Sequence, residues 1–212
     1  MTPRRHKRDS GNVHAATSSV QQLRLPAPFP DGEAVNSLNA KPVTVYTIGH
    51  SNHDAETFLA LLIQHDLQAV IDVRSAPFSR HVPQFSRSAL SRLLADANVE
   101  YVWIGDLLGG RPDDPECYDA GGAVDYAAIA RKSWYAAGIE VLLDRAAATP
   151  TAILCSEEDP RRCHRHLLIE PTLRAREAQV LHVRRDGSLE TIEPAAGHCP
   201  PDGQLTMREF LR

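Results

Sequence analysis

The sequence predicts an α/β fold: a single domain with a mostly parallel sheet flanked by helices, a C-terminal β-hairpin and flexible tails. Short apolar runs rich in β-branched residues alternate with segments of helical periodicity over most of the chain. An Asp186-Gly187 pair separates the last two strand-like segments, and this dipeptide is typical of a hairpin turn. The sequence has no internal repeat and no second core-forming region, so one domain is the simplest organisation.

The composition is that of a globular protein, with 42% hydrophobic residues, 24% charged residues and a formal net charge of −4 over 212 residues. This mildly acidic balance gives no general attraction to nucleic acid or to anionic membranes. The apolar runs are too short to span a bilayer, and the N-terminus lacks the apolar core of a secretion signal, so the expected location is cytoplasmic. The four cysteines show no Cys-x-x-Cys spacing, which favours free thiols over a disulfide framework.

A central domain, residues 42–193, is predicted to lie between two tails. Residues 1–41 are polar, basic and interrupted by prolines, which predicts a disordered N-terminal tail. Its cluster of arginines and lysine near the start makes an arm that binds nucleic acid or another partner the alternative. Residues 194–212 form the predicted C-terminal tail, with a short helix over 206–211 as its candidate element.

The domain is predicted to begin with a β–α–β unit. Val43–Gly49 is rich in β-branched and aromatic residues, as a strand requires. Asp54 suits a helix N-cap, and the residues after it place apolar side chains on one helical face. Gln68–Arg74 is the second strand, so the two strands should be parallel and joined by a right-handed crossover. The next elements are a loop over Ser75–Arg87, a helix over Ser88–Ala97 and a strand over Val99–Ile104.

A long loop is predicted over residues 105–124, and loops of this length are usually functional or mobile. Asp125–Ala148 is strongly helical, with Gly138 expected to kink or divide the helix. Beyond the next strand and helix, the hairpin strands are predicted at Val180–Arg184 and Leu189–Ile192.

The segment Thr151–His166 is the most informative part of the chain. It begins as a buried strand, Ala152–Leu154, and then turns abruptly polar. Pro160 suits the first position of a helix, which would carry Cys163 to His166 in its first two turns. Pro171 either ends that helix or bends it into a continuation over 172–178.

Reactive polar residues follow the ends of three predicted strands. They are His50 and Ser51 on the first, Asp72 and Arg74 on the second, and Cys155 and Glu157 on the fourth. Because the carboxyl ends of parallel strands meet at one edge of a sheet, we predict that these residues share one crevice.

Five motifs resemble the domain of unknown function 488 family. They are TIGHS at 47–51, DVR at 72–74, PxF at 83–85, LGG at 108–110 and CxExDPxxCHR at 155–165. The resemblance runs from about Val43 to Glu193 and leaves both tails outside. It implies a small bacterial or archaeal α/β protein, and Pro171 and the long tails depart from the usual pattern.

We expect an enzyme-like pocket for a small anionic ligand, without an indication of a particular cofactor. The candidate catalytic residues are His50, Asp72, Cys155, Glu157 and His164, and the candidate ligand-binding residues are Ser51, Arg74 and Arg165. Arginines would clamp the anion, a histidine would move a proton, and Cys155 would be the nucleophile. The alternative is structural, with Cys155 a buried thiol and Arg165 paired with Glu157 to tie strand to helix.

The cysteines raise two further possibilities, a phosphatase-type nucleophile and a metal site. The Cys155-x5-Arg161 spacing matches cysteine phosphatases, but three carboxylates and no glycine between them argue against a phosphate-binding loop. No metal site is expected, because the spacing of the cysteines and histidines matches no standard zinc module. The candidates for one are Cys155, Cys163 and His166, since adjacent residues of a helix diverge by about 100° and would keep Cys163 and His164 from holding one ion together.

The alternative outside enzyme chemistry is a nucleic-acid-associated binding module. Phenylalanines and basic residues interleave in the loop after Arg74, as in surfaces that stack bases and contact phosphates. The residues are Phe78, Arg80, His81, Phe85 and Arg87. In the competing interpretation, the two phenylalanines anchor the loop to the core and the arginines are solvated.

Overall fold

The computed structural model describes residues 42–193. The predicted tails, 1–41 and 194–212, lie outside the described residues. The described part contains one sheet with helices on both of its faces, so the predicted α/β fold is confirmed.

The sheet has six strands in the order β3-β2-β4-β1-β5-β6. The strands are β1 Thr44–Gly49, β2 Ala69–Asp72, β3 Glu100–Trp103, β4 Thr151–Cys155, β5 Gln179–Val183 and β6 Leu189–Glu190. All neighbouring strands are parallel except β5 and β6, which form the predicted C-terminal hairpin. The hairpin turn contains Gly187 at a φ of 81°, a conformation that glycine adopts without strain.

Six α-helices connect the strands. They are α1 Ala55–Gln64, α2 Arg87–Asp96, α3 Gly105–Leu108, α4 Tyr126–Ala130, α5 Ser133–Ala148 and α6 Glu170–Ala175. One core packs α1 and α2 against the sheet, and a second packs α3 to α6 against the opposite face. Because both faces are covered, the central strands β2 and β4 are buried along their whole length. Among the described helices, none is long and apolar enough to cross a membrane.

The helical prediction for Asp125–Ala148 was wrong in the position of its break. The chain divides at Arg131 and Lys132, and α5 runs through Gly138. A Cβ at Gly138 would lie 2.8 Å from side-chain atoms of Leu107 and Leu108, which belong to α3. The glycine therefore permits close packing of α3 against α5. The predicted 105–124 loop was wrong at its start, since Gly105–Leu108 forms α3.

The helix predicted to begin at Pro160 is interrupted. Pro160–Arg162 forms a single 3-10 turn, and Cys163 then adopts an extended conformation with φ −128° and ψ 146°. The following turn, Arg165–Ile169, is a π-helix that leads into α6. Pro171 has no N–H group to donate, and the widened turn before it carries the helix past the proline as far as Ala175.

Candidate functional site

The carboxyl ends of β1, β2 and β4 lie next to one another at one edge of the sheet. Gly49 is paired with Cys155, and Asp72 with Leu154, in adjacent parallel strands. The His50 amide donates to the Cys155 carbonyl at 2.9 Å. The sheet therefore brings His50, Asp72 and Cys155 to the same edge, where they belong to separate groups of contacts.

Cys155, Cys163 and His164 form a buried group at this edge, here called the Cys–His centre. The Nδ1 atom of His164 lies 3.6 Å from the Cys155 Sγ and 3.7 Å from the Cys163 Sγ. All three ligand atoms lie within 4.8 Å of one another. The expectation that Cys163 and His164 diverge was wrong, because it assumed a helix where Cys163 is extended.

The tautomer of His164 follows from its hydrogen bonds. Its Nε2 lies 3.1 Å from the Val73 carbonyl oxygen, which can only accept, so Nε2 carries the proton. In the neutral ring, Nδ1 then presents a lone pair to both thiols. A Cβ at Gly110 would lie 2.8 Å from the His164 Cγ, so this glycine lets the α3–α4 connection close against the ring.

The two thiols differ in their acidity. Their mutual hydrogen bond and burial raise the pKa of Cys155 well above its usual value. The same hydrogen bond from Cys155 lowers the pKa of Cys163, and Arg165, which donates to its sulfur, reinforces this effect. At neutral pH the pair therefore favours a Cys163 thiolate that accepts a hydrogen bond from the Cys155 thiol.

Arg165 is buried beside the centre and donates only to protein acceptors in its described hydrogen bonds. Its Nε donates to the Cys163 Sγ at 3.2 Å, and its Nη1 to the Thr47 Oγ1 at 3.2 Å. Its Nη2 donates to the main-chain carbonyl of Glu157 and, at 3.4 Å, to that of Glu158. These contacts use four of its five N–H groups and orient the 155–165 segment, and its role in binding an anionic ligand stays a prediction.

Glu157 contributes its backbone and not its carboxylate to these contacts. Its side chain is exposed, while its carbonyl oxygen lies over Gly49, where a Cβ would come within 1.9 Å of it. Gly49 therefore makes room for the loop that ties the Cys–His centre to β1.

Asp72 and Arg74 point to the same side, as alternate strand residues do, and pair with each other. Arg74 donates from Nε to one carboxylate oxygen at 2.8 Å and from Nη2 to the other at 2.6 Å. The Arg74 amide and the Tyr101 hydroxyl also donate to this carboxylate, at 3.1 and 2.7 Å. Asp72 is buried with four donors, an environment that fixes Arg74 and Tyr101 in place.

His50 is buried at the end of β1 and stacks on Phe85, with ring centroids 4.6 Å apart. Its Nδ1 donates to the Ser51 carbonyl at 2.9 Å, and its buried Nε2 has no hydrogen-bond partner among the described residues. Burial lowers the pKa of His50 to about 4, so the ring is neutral at physiological pH. Ser51 follows in the left-handed region, at a φ of 45°.

Phe85 and Phe78 of the 75–87 loop have different environments. Phe85 is fully buried against Phe58 and His50, whereas Phe78 is exposed. Only Phe78 of the two can therefore belong to a binding surface.

A second buried polar group, here called the Glu170 network, is linked to Arg165 through the Thr47 hydroxyl. The Oε2 atom of Glu170 is 2.7 Å from the His166 Nδ1 and 2.9 Å from the His182 Nε2, and Arg174 donates to Oε1 at 2.8 Å. The other ring nitrogen of His182 lies 2.7 Å from the Thr47 Oγ1, the same hydroxyl that Arg165 contacts. His166, a predicted metal ligand, is thus placed away from the Cys–His centre.

Sequence reasoning did not single out Glu170 or His182. The signal for Glu170 was present as the Glu170–Arg174 spacing, an i,i+4 pair on one helical turn. His182 depends on the register of β5 against β1, which sets it beside Thr47.

Two sets of side chains could hold a metal ion, namely Cys155, Cys163 and His164, and His166, Glu170 and His182. In the second set, each ligand atom is already engaged in a hydrogen bond between His166, His182 and Glu170, and Arg174 neutralises the carboxylate. In the first set, a nitrogen lone pair faces two sulfur atoms. The Cys–His centre is therefore the better metal candidate.

Comparison with known proteins identifies one family that the chain matches. No curated protein and no solved structure matches the chain. The model of the family described as Domain of unknown function DUF488 matches residues 54–171, more than half of the chain and including the Cys–His centre. The chain therefore belongs to the DUF488 family.

Proposed function

We propose that the Cys–His centre binds one Zn²⁺ ion through Cys155, Cys163 and His164, and that the fourth coordination position takes a small anionic ligand. Thiolate and imidazole are the ligands that Zn²⁺ prefers in proteins. Two cysteines and one histidine leave a tetrahedral ion with an open position, which is the arrangement of catalytic rather than structural zinc sites.

The spacing of the three ligand atoms is the observation that supports this proposal. Zn–S bonds of about 2.3 Å and Zn–N bonds of about 2.0–2.1 Å, at a tetrahedral angle, put sulfur and nitrogen about 3.6 Å apart. The two Sγ–Nδ1 distances are 3.6 and 3.7 Å. These two spacings match those of a bound ion, and the two sulfur atoms lie within 4.8 Å of each other.

The surroundings of the centre favour the same assignment. Histidine ligands usually donate their second ring N–H to a carbonyl or carboxylate, as His164 does to Val73. Arg165 donates to the Cys163 sulfur, a contact that stabilises a thiolate. Two thiolates neutralise Zn²⁺, and the buried Arg165 then leaves the centre with an excess of positive charge. An anion in the fourth position would balance this charge.

The test is metal content and metal spectroscopy on the full chain. Wild-type protein, stripped with a chelator and reloaded, is expected to bind one Zn²⁺ per chain. With Co²⁺ it should show sulfur-to-cobalt charge-transfer absorption and the visible bands of a tetrahedral ion. Cys155→Ser, Cys163→Ser and His164→Ala should each weaken Zn²⁺ binding by more than about 100-fold, because loss of a ligand costs more than loss of its hydrogen-bond partner.

Cys117→Ser is the matched control, since Cys117 is equally buried but lies on the 3-10 turn before α4, outside the centre. It should keep full stoichiometry. Substoichiometric Zn²⁺ in the wild type, or equal retention by Cys117→Ser and Cys163→Ser, would contradict the proposal and favour metal-free thiol chemistry. The anionic ligand is tested separately: azide or phosphate should shift the Co²⁺ bands of the wild type.

A further inference from the structure

A surface groove lies beside the edge strand β3, and its lining contains none of the residues of the Cys–His centre. It is a groove of about 580 Å³ between the 77–91 segment and the edge strand β3, here called the aromatic groove. Its lining includes Phe78, Arg87, Ser88, Ser91, Tyr101 and Trp103. Among residues 42–193, no carboxylate lines this groove, although the protein as a whole is acidic.

Two of its aromatic rings are held rigidly by hydrogen bonds from their polar atoms. The Tyr101 hydroxyl donates to Asp72 at 2.7 Å, and the Trp103 Nε1 donates to the Arg74 carbonyl at 3.0 Å. Because Asp72 and Arg74 are themselves buried and paired, they anchor both rings to the sheet. Rigid aromatic rings contribute contact area at a small entropic cost on binding.

Phe78 is the most exposed large hydrophobic side chain of residues 42–193, with 71% of its surface accessible. Arg87 supplies a positive charge to the same groove, and its guanidinium carbon lies 4.4 Å from the centroid of the Trp103 ring. An exposed aromatic ring beside a stacked guanidinium is the combination that binds unpaired bases and their phosphates.

Helix α2 adds further donors to the groove. Its N-cap residue, Ser86, makes no side-chain cap bond, and its hydroxyl is directed instead to the backbone of Ser79. The Arg87 amide donates to the Pro77 carbonyl at 2.8 Å, and the next N–H groups of α2, beginning with Ser88, have no side-chain cap. Uncapped N–H groups at a helix N-terminus favour an anion.

From these contacts we propose that the aromatic groove binds single-stranded nucleic acid, with a base stacked on Phe78 and a phosphate held by Arg87. A duplex would not fit this chemistry, because its bases are already stacked on each other. A peptide is the competing occupant, since aromatic grooves also bind proline-rich segments. The absence of carboxylates from the lining, together with Arg87 and the hydroxyls of Ser88 and Ser91, favours a polyanion.

The experiment measures binding by the fluorescence of Trp103 and by the anisotropy of a labelled oligonucleotide. The chain has two tryptophans, so Trp134→Phe leaves Trp103 as the only one. An oligothymidylate of about 12 nucleotides, long enough to span one binding site, is titrated into this protein at low salt. We expect saturable quenching of Trp103, and a parallel rise in the anisotropy of the labelled oligonucleotide. A duplex of equal length should bind much more weakly.

Two variants and two matched controls locate the site. Phe78→Ala should weaken binding about 5- to 100-fold, the loss expected for one stacked base. Arg87→Ala should also reduce the slope of log K against log salt by about 0.7, the value for one phosphate contact on a single strand. Ile63→Ala removes a side chain that is equally exposed, at 69%, on α1, and Arg131→Ala removes an exposed arginine between α4 and α5. Both should stay within about twofold of the parent protein.

Three outcomes would overturn the proposal. The first is no saturable signal with the oligonucleotide at low salt. The second is an equal loss of binding in Phe78→Ala and Ile63→Ala. The third is quenching of Trp103 by a proline-rich peptide, such as one with the sequence of residues 23–32, when the oligonucleotide has no effect.

Discussion

Replacing Glu170 by glutamine is expected to destabilise the protein by about 3 kcal/mol at neutral pH and by much less in acid. The buried carboxylate accepts hydrogen bonds from His166, His182 and Arg174. Burial opposes its ionisation, but these three partners outweigh burial and lower its pKa from 4.5 to about 2. In the variant, the amide N–H group would face one of these donors in either orientation of the side chain.

The magnitude follows from the shift in pKa. A difference of 2.5 between the unfolded and folded values corresponds to about 3 kcal/mol of stability contributed by the ionised carboxylate. Because the folded pKa is the lower one, this contribution is fully present above about pH 4.5 and is lost as the pH falls towards 2. The difference in the free energy of unfolding between the wild type and Glu170→Gln should therefore fall to less than half of its neutral-pH value by about pH 3.

The assay is urea denaturation followed by circular dichroism at a series of pH values. Glu140→Gln is the control, because Glu140 also pairs with an arginine, Arg176, but is 55% exposed. It should cost less than about 1 kcal/mol at every pH, as surface ion pairs do. A loss of under about 1 kcal/mol for Glu170→Gln at pH 7, or a loss that does not change with pH, would refute the reasoning.

Two glycines give further predictions about packing. Gly138→Ala places a better helix former in α5, yet it should lower the free energy of unfolding by about 1–2 kcal/mol, because its Cβ would meet Leu107 and Leu108. A gain in stability in urea denaturation would show that α3 and α5 do not pack this closely. Gly49→Ala should cost about 3 kcal/mol or more, because its Cβ would lie 1.9 Å from a backbone oxygen of Glu157. A thermal unfolding midpoint equal to that of the wild type would contradict the position of the loop.

Local signals predicted much of the fold. Asp54 was expected to cap α1, and its carboxylate accepts from the Thr57 amide at 2.6 Å. The Asp186-Gly187 pair predicted the hairpin, and the alternation of strands and helices predicted the parallel sheet. These features depend on residues close in sequence, which is why they can be predicted without coordinates.

The site could be predicted only in part, because its contacts depend on details of backbone geometry. Parallel strand ends predicted that His50, Asp72 and Cys155 lie at one edge of the sheet. The helix assumed after Pro160 gave the wrong direction for Cys163. A single extended residue, with ψ of 146°, turns its sulfur towards His164. Sequence patterns do not reveal such a break, since Pro160 is equally suited to a 3-10 turn and to a longer helix.

The buried positive charge of Arg165 determines which charge its neighbours at this edge of the sheet must carry. It is among the most completely buried side chains of residues 42–193, and none of the ion pairs within that range includes it. A buried guanidinium whose charge is not balanced costs several kcal/mol. Its contacts with Thr47 and two backbone carbonyls supply only dipoles, so the Cys163 sulfur is the one acceptor among them that can carry a full negative charge. Thr47 then links this pair to His182 and the ionised Glu170. The fold therefore stabilises a thiolate at Cys163, and this negative charge supports the proposal that the Cys–His centre binds a cation.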